Sequence, residues 1–352
     1  MRFFVFYILI LFTVFKSGAQ VTGGQSSFAY LKASNSAKIA GIGGDNVSSF
    51  GDDPSMIYQN PALLNKEMEN IFSLSFIGLA PGIKLSSIQY VFDKSAIGPI
   101  AAGLTYLNYG KMVRRDAGGN SEGEFFSNEF VLHGTKTFEQ GNYILGITPK
   151  LAVSQIAQYS SIATAMDIGG VFNHPVKSFT VGLTFQNIGF QIMKYTDKRE
   201  NLPFDVVAGF SIKPEHMPLK ISVTAHHLHQ FDISYYDPSQ KDKSIFEDDS
   251  NEYEVPIYDK IFRHFTVGGE VIISKNFHLR IGYNYLKRRE LKPKEASGGA
   301  GFSFGFMIKV KAIEIDFSKT YFNYAGRPNY LTVNIDIDKL LKKKLKKLTK
   351  VK

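Results

Sequence analysis

The sequence predicts an all-β fold: a transmembrane antiparallel β-barrel of about fourteen strands with an N-terminal hatch inside its lumen. Three observations lead there. Apolar and polar residues alternate with a period of two in segment after segment, the rhythm of strands whose successive side chains face opposite sides. The chain opens with an export signal. The connections between segments alternate between short and long, as turns and loops do at the two ends of an outer-membrane barrel.

Residues 1–19 read as a secretory signal peptide. Arg2 supplies the positive end, residues 3–15 are apolar, and Ser17-Gly18-Ala19 is a small-residue cleavage site before Gln20. The apolar run falls short of the roughly 20 residues of a spanning helix. Residues 20–70 do not alternate; such a segment lies outside as a tail or folds inside as a plug, and the short helix it encodes favours assigning it to the hatch. They hold a small-residue stretch at 33–40, then Gly41-Ile42-Gly43-Gly44, then Asn60-Pro61-Ala62-Leu63-Leu64. Pro61 suits the first position of a short helix, so Asn60, Pro61 and Ala62 should form an ordered turn. A lumen of this width needs such filling.

Residues 71–337 form the barrel. Tyr143, Leu145 and Ile147 share one parity and Gly146, Thr148 and Lys150 the other; Phe277, Leu279, Ile281 and Tyr283 alternate likewise with His278, Arg280 and Gly282. Parity sends Leu279, Ile281, Phe317, Val333 and Ile335 to lipid. It sends Lys150, Lys220, Glu270, Arg280, Glu314, Asp316 and Asp336 into the lumen, where mixed signs predict a polar network of ion pairs. The short connections are 93–97, 139–142, 174–177, 214–218, 275–276 and 311–312; the long ones are 108–124, 190–202, 232–261 and 289–297. The long set is expected outside the cell and the short set in the periplasm. Connections 79–81 and 324–327 are short exceptions in the long set.

Composition agrees. The chain has 30 Phe and 18 Tyr, suited to a lipid-facing band with aromatic girdles, and no Cys, which removes disulfides and thiolate chemistry. The net charge of +9 comes from the ends. Residues 338–352 carry 8 Lys and 1 Asp, and Arg2 and Lys16 supply the remainder. The body is neutral, so no nucleic-acid partner is expected. Leu340, Leu341, Leu345 and Leu348 among the lysines describe an amphipathic helix, read as a basic periplasmic tail near anionic headgroups.

No catalytic, cofactor or metal site is expected. Gly41-Ile42-Gly43-Gly44 lacks the strand–turn–helix context of a phosphate loop, and there is no nucleophile elbow. His226, His227 and His229 invite a metal reading, but strand parity points His226 away from the other two. The acids Glu247, Asp248, Asp249, Glu252 and Glu254 lack the glycine of a calcium loop. Phe246, Tyr253 and Tyr258 beside them suit a partner-binding surface.

The export signal, Ala40-Gly41-Ile42-Gly43-Gly44, Asn60-Pro61-Ala62-Leu63 and the alternating strands together resemble the FadL-like outer-membrane proteins. Within them the chain is most similar to the PorV/PorQ group of the type IX secretion system of Bacteroidetes. That similarity is carried by Leu107-Asn108-Tyr109-Gly110, Asp116 to Asn120 with Gly123 and Phe125, Gln186-Asn187-Ile188-Gly189, Leu202-Pro203-Phe204 and His216-Met217-Pro218-Leu219. The resemblance implies a non-enzymatic component of a cell-surface attachment complex. Such a protein anchors a secreted partner resembling PorZ and, through it, a sortase-like protease and a PorV-like barrel that serve cargo joined to lipopolysaccharide. The Asn-Pro-Ala element belongs to the wider superfamily, so a passive transporter of hydrophobic molecules is the alternative. The charged lumen residues disfavour a continuous apolar path.

Overall fold

The computed structural model describes residues 26–92, 98–234, 255–291, 298–322 and 326–341. The export signal, Phe246, Tyr253 and the tail beyond residue 341 lie outside them. The described residues form fourteen antiparallel strands. They are β1 (Ile71–Ala80), β2 (Ile83–Phe92), β3 (Ile100–Arg115), β4 (Ser121–Gln140), β5 (Tyr143–Ile156), β6 (Tyr159–Asn173), β7 (Phe179–Met193), β8 (Asp205–Ile212), β9 (Leu219–Ala225), β10 (Phe265–Ser274), β11 (Phe277–Asn284), β12 (Phe302–Val310), β13 (Ile313–Thr320) and β14 (Asn329–Asp336). Each pairs with its sequence neighbours, and β1 closes on β14 from Ile71↔Asp336 to Gly78↔Asn329. Closure leaves no edge, so every strand finds partners for its backbone groups, as lipid requires.

Alternation places side chains as elementary strand geometry demands. Leu279 and Ile281 are 41% and 46% exposed on the outer face, while Arg280 between them is buried. Glu314 and Asp316 are buried inside as well. Among the described residues no helix is long and apolar enough to cross a membrane.

One boundary differs from expectation. Most of 108–124, read as a loop, is strand: β3 and β4 stay paired through Lys111↔Phe126 and Val113↔Glu124, and only residues 116–120 connect them. Asp116 closes that turn by accepting from the Asn120 backbone N–H at 2.8 Å and side-chain amide at 2.9 Å. β7 likewise runs on to Met193. Strands β3 to β7 therefore stand taller than the 7-residue β9 or the 8-residue β8.

Residues 27–69 pack against inward-facing side chains and glycines of the strands. This inner segment consists of α1 (Ala37–Gly41) and short 3₁₀ turns at Ala29–Lys32, Pro54–Tyr58, Pro61–Leu63 and Lys66–Met68. Ser36, Asp53, Asn60 and Asn65 each accept a backbone N–H with their side chains, which is why such short helices form. Ile39, Met56, Leu63, Leu64 and Met68 are buried. Two more helices, α2 (Ile257–Phe262) and α3 (Tyr285–Leu291), sit in the long-loop rim.

Candidate functional site

The lumen is where the inner segment meets the wall, and both sequence motifs in that segment are seated on paired glycines. Asn60 opens the turn Pro61–Leu63: its Oδ1 accepts from Ala62 N–H at 3.0 Å, and its Nδ2 donates to the carbonyls of Val47 at 2.8 Å and Gly170 at 3.4 Å. Pro61 holds the first helical position, where its missing N–H costs nothing. Asn60, Pro61 and Ala62 rest on Gly146 of β5 and Gly169 of β6, which face each other in register. A Cβ on Gly146 would overlap the Pro61–Ala62 peptide, one on Gly169 the Asn60 carboxamide, and one on Gly182 of β7 the Val47 carbonyl.

The second seat holds the end of α1. Ala37 N–H donates to Thr332 Oγ1 at 2.9 Å, and the Ser318 and Ser303 hydroxyls donate to the carbonyls of Ala37 and Gly41 at 2.6 and 3.1 Å. The chain then turns through Gly43 and Gly44 at φ 109° and 103°, a region side chains rarely adopt. Ile42 and Gly43 lie over Gly268 and Gly282, again opposite each other, where a Cβ would strike backbone.

Buried charge surrounds this second seat. Arg280 Nε donates to Glu270 Oε1 at 2.8 Å, and its guanidinium also pairs with Asp316. Lys38 of α1 lies 3.6 Å from Asp53, Lys309 bridges Glu314 at 2.9 Å and Asp52 at 3.0 Å, and Lys220 donates to the Phe50 carbonyl at 2.9 Å. Lys38, Ser49, Lys220 and Glu270 line a small polar cavity with room for about one water.

The seven lumen residues named from parity therefore do not form one network. Glu270, Arg280, Glu314 and Asp316 gather, with Lys220 beside them. Lys150 is on the opposite wall, paired with Asp167 at 2.6 Å and Asn187 at 2.9 Å. Asp336 is at the short-turn rim, paired with Lys339 at 2.8 Å, because β14 ends there. Lys38, Asp52, Asp53 and Lys309 went unread. The first three lie in the segment without alternation, whereas Lys309 shares the inward parity of Ser303 and Met307 and was legible.

The histidines correct a second reading. β9 ends at Ala225, so strand parity does not govern the residues after it, and His227 adopts φ 56°. The imidazoles converge: His226 Nδ1 and His227 Nδ1 are 2.7 Å apart, and Asp205 approaches His227 and His229 at 3.6 and 3.5 Å. Lys32 of the inner segment reaches His227 Nε2 at 3.1 Å and Asp205 at 3.2 Å. A 2.7 Å contact between two ring nitrogens is a hydrogen bond that needs one nitrogen unprotonated. Burial, with Asp205 opposing and Lys32 and His226 assisting, pulls the His227 pKa down to about 4, so the ring is neutral at pH 7.

Of the loop candidates, Tyr258 lies on α2 and is 64% exposed. The helix is held from its other side, where buried Asp259 accepts from Tyr285 Oη at 2.7 Å and pairs with Arg263 and Arg289, each at 2.8 Å. Ile257, Tyr258, Ile261 and Phe262 thus form an exposed apolar ledge on a fixed support.

Among solved structures, the chain is similar to the Pseudomonas putida toluene transporter TodX, with a TM-score of 0.50 at 10% identity over 86% of this chain and 96% of that one. A Pseudomonas aeruginosa FadL homologue aligns at TM-score 0.48 and 11% identity over 86% and 98%. No protein-family model and no curated protein matches the sequence. At such identities the likeness is one of fold alone: a closed antiparallel barrel like that of TodX.

Proposed function

We propose that this protein is a non-enzymatic outer-membrane scaffold of protein secretion, in which residues 27–69 act as a fixed hatch and the loops hold a secreted partner at the cell surface. The observation that carries this reading is the double seating of the inner segment, on glycine pairs at two walls and with buried ion pairs behind one of them. A barrel filled in this way is a rigid support, and loops on rigid supports are the usual carriers of binding. The ledge of Ile257, Tyr258, Ile261 and Phe262 offers apolar anchors. The long-loop rim then faces outward and the basic tail faces the periplasm. The narrower assignment is to the anchoring branch of the PorV/PorQ group, with a PorZ-like partner and, through it, a sortase-like protease and a PorV-like barrel. It rests on the sequence resemblance alone.

A passive transporter of hydrophobic molecules is the second reading. The likeness to a toluene transporter supports it and adds nothing to the first. So does the apolar cluster of Phe28, Tyr30, Ile77, Leu85, Leu107 and Val131 between the inner segment and the wall. Copurification from native membranes, comparing wild type with a deletion of residues 246–258, separates the two when run beside solute uptake into vesicles. Loss of a partner on deletion, without uptake, supports the scaffold. Unchanged retention with selective uptake of a monoaromatic solute overturns it in favour of transport.

A further inference from the structure

Asp53, Glu314 and Asp316 are all buried, and each offers a carboxylate oxygen within 4.8 Å of the other two. Like charges at such spacing repel strongly away from water, so each must be compensated. The cations in reach are Lys38, 3.6 Å from Asp53; Lys309, shared between Glu314 and Asp52; and Arg280, shared between Asp316 and Glu270. With Lys220, and with the His278 imidazole 3.2 Å from Glu270, four cations and one histidine face the five carboxylates Asp52, Asp53, Glu270, Glu314 and Asp316.

A second, independent observation concerns hydrogen bonding. Asp53 Oδ2, Asp316 Oδ2 and Asn334 Oδ1 are buried without a hydrogen-bond partner. All three are acceptors; Asp53 Oδ2 has Lys38 at ion-pair distance, whereas Asp316 Oδ2 and Asn334 Oδ1 lack a donor or a cation. Asn334 is 5% exposed, and its Nδ2 is 3.3 Å from Asp53 Oδ1 and 3.4 Å from Glu314 Oε1. Turning the amide over, a change of orientation that costs no backbone movement, would put its oxygen among the carboxylates.

From this geometry we infer a divalent-cation site, with Asp53, Glu314, Asp316 and Asn334 as oxygen ligands, that ties the inner segment to β13 and β14. The donors are hard oxygens with no sulfur among them, which selects an alkaline-earth ion. Ca²⁺ takes oxygens at about 2.3–2.6 Å, so ligands on opposite sides of it stand about 4.6–5.2 Å apart. The carboxylate oxygens, all within 4.8 Å of one another, fit inside that span. Mg²⁺, at about 2.0–2.1 Å, demands near-octahedral geometry and gives up its water reluctantly. Glu314 is the second residue of β13, and its partner Lys309 pairs with the half-exposed Asp52, so an ion enters from the short-turn rim. The site is independent of whether the barrel anchors a partner or passes a solute.

The test uses the full-length protein in detergent, free of lipopolysaccharide and stripped with EDTA. Mn²⁺ is titrated with electron paramagnetic resonance as the readout, and Ca²⁺ by calorimetry. The expected result is saturable binding of about one ion per chain, with Ca²⁺ displacing Mn²⁺ and Mg²⁺ competing poorly. Ca²⁺ should also raise the temperature at which the barrel loses its compact mobility on gels. Asp316→Asn and Glu314→Gln should lose both the binding and the shift while keeping the compact mobility. Absence of saturable binding by the wild type overturns the site without recourse to any variant. So does a barrel whose melting responds to pH but not to Ca²⁺, since a shared proton or a water then satisfies the orphaned oxygens. Binding undiminished in both variants places the ion elsewhere and equally overturns the assignment.

Discussion

At the β5–β7 wall the inner segment lays its own neutral Asn60 carboxamide on glycine backbone; at the β9–β14 wall it meets glycine backbone and buried charge. Both seats use the same steric device, a glycine pair in register that lets main chain approach main chain. They differ in what fixes orientation. Asn60 makes three hydrogen bonds to neutral partners, each worth about 0.5–1.5 kcal/mol net. Around Arg280 the contacts are between ions removed from water, where attraction and desolvation nearly cancel. The neutral seat therefore supplies net stability, and the charged seat supplies a penalty for any other arrangement.

The largest expected effect follows from that asymmetry. Arg280→Ala leaves Glu270 and Asp316 buried without their shared cation and should cost about 3–5 kcal/mol, read by denaturant titration of the refolded barrel. Replacing all three together, as Glu270→Leu, Arg280→Met and Asp316→Leu, should recover most of the loss. If the triple variant remains as unstable as Arg280→Ala, the charged wall contributes net stability after all and the contrast between the seats fails.

Next in size is Gly169→Val. The new side chain must displace the Asn60 carboxamide, an overpacking that should cost about 1–3 kcal/mol. Protease cleavage within residues 27–69 should then appear while the strands stay protected. Gly51→Ala is the control, since a Cβ there meets nothing within 4 Å. Cleavage no faster than in the control would mean that the glycine seat does not hold the segment.

Asn60→Ala removes the cap on Ala62 and the two carbonyl contacts, for about 1–2 kcal/mol in the same titration. High salt should leave that loss unchanged, because no ion takes part. A loss that shrinks with salt would blur the distinction between the walls.

How much of this was legible depends on what alternation reports. Within the membrane-facing band a strand has one apolar face, so Leu279, Arg280 and Ile281 declared their sides in the sequence. Beyond the band both faces meet water. Residues 108–124 therefore looked like a loop, although their backbone stays paired to Arg114↔Gly123. The inner segment follows neither period. Asn60-Pro61-Ala62 announced a turn, but nothing about Lys38 or Asp53 in the sequence says that they face Arg280 and Asp316, since that meeting is made by tertiary closure. The histidines failed for a related reason: strand parity was carried past Ala225, where the strand had ended.

The smallest effect sits where the inner segment touches the long-loop rim, at Lys32, Asp205 and His227, a contact that mixes charge with neutral rings. His227 has a pKa near 4 in the fold against 6.5 for a free imidazole, chiefly because burial disfavours its charged form. Between these values the unfolded chain binds a proton that the folded protein does not, so stability falls as pH falls through this window. The loss should reach about 1 kcal/mol by about pH 5.5, after allowance for the ring's partial exposure. Protonation at Nε2 would also turn the contact with Lys32 Nζ into repulsion and set a second positive charge beside Lys32, with Asp205 left to answer both. His227→Gln should flatten the stability profile between pH 4 and 6.5 while leaving the cost of Arg280→Ala and Gly169→Val as measured in the wild type. A profile that keeps its slope in His227→Gln would transfer the titration to His226, whose pKa burial also lowers, and would show that the Lys32–Asp205 contact holds the inner segment without help from its neighbouring ring.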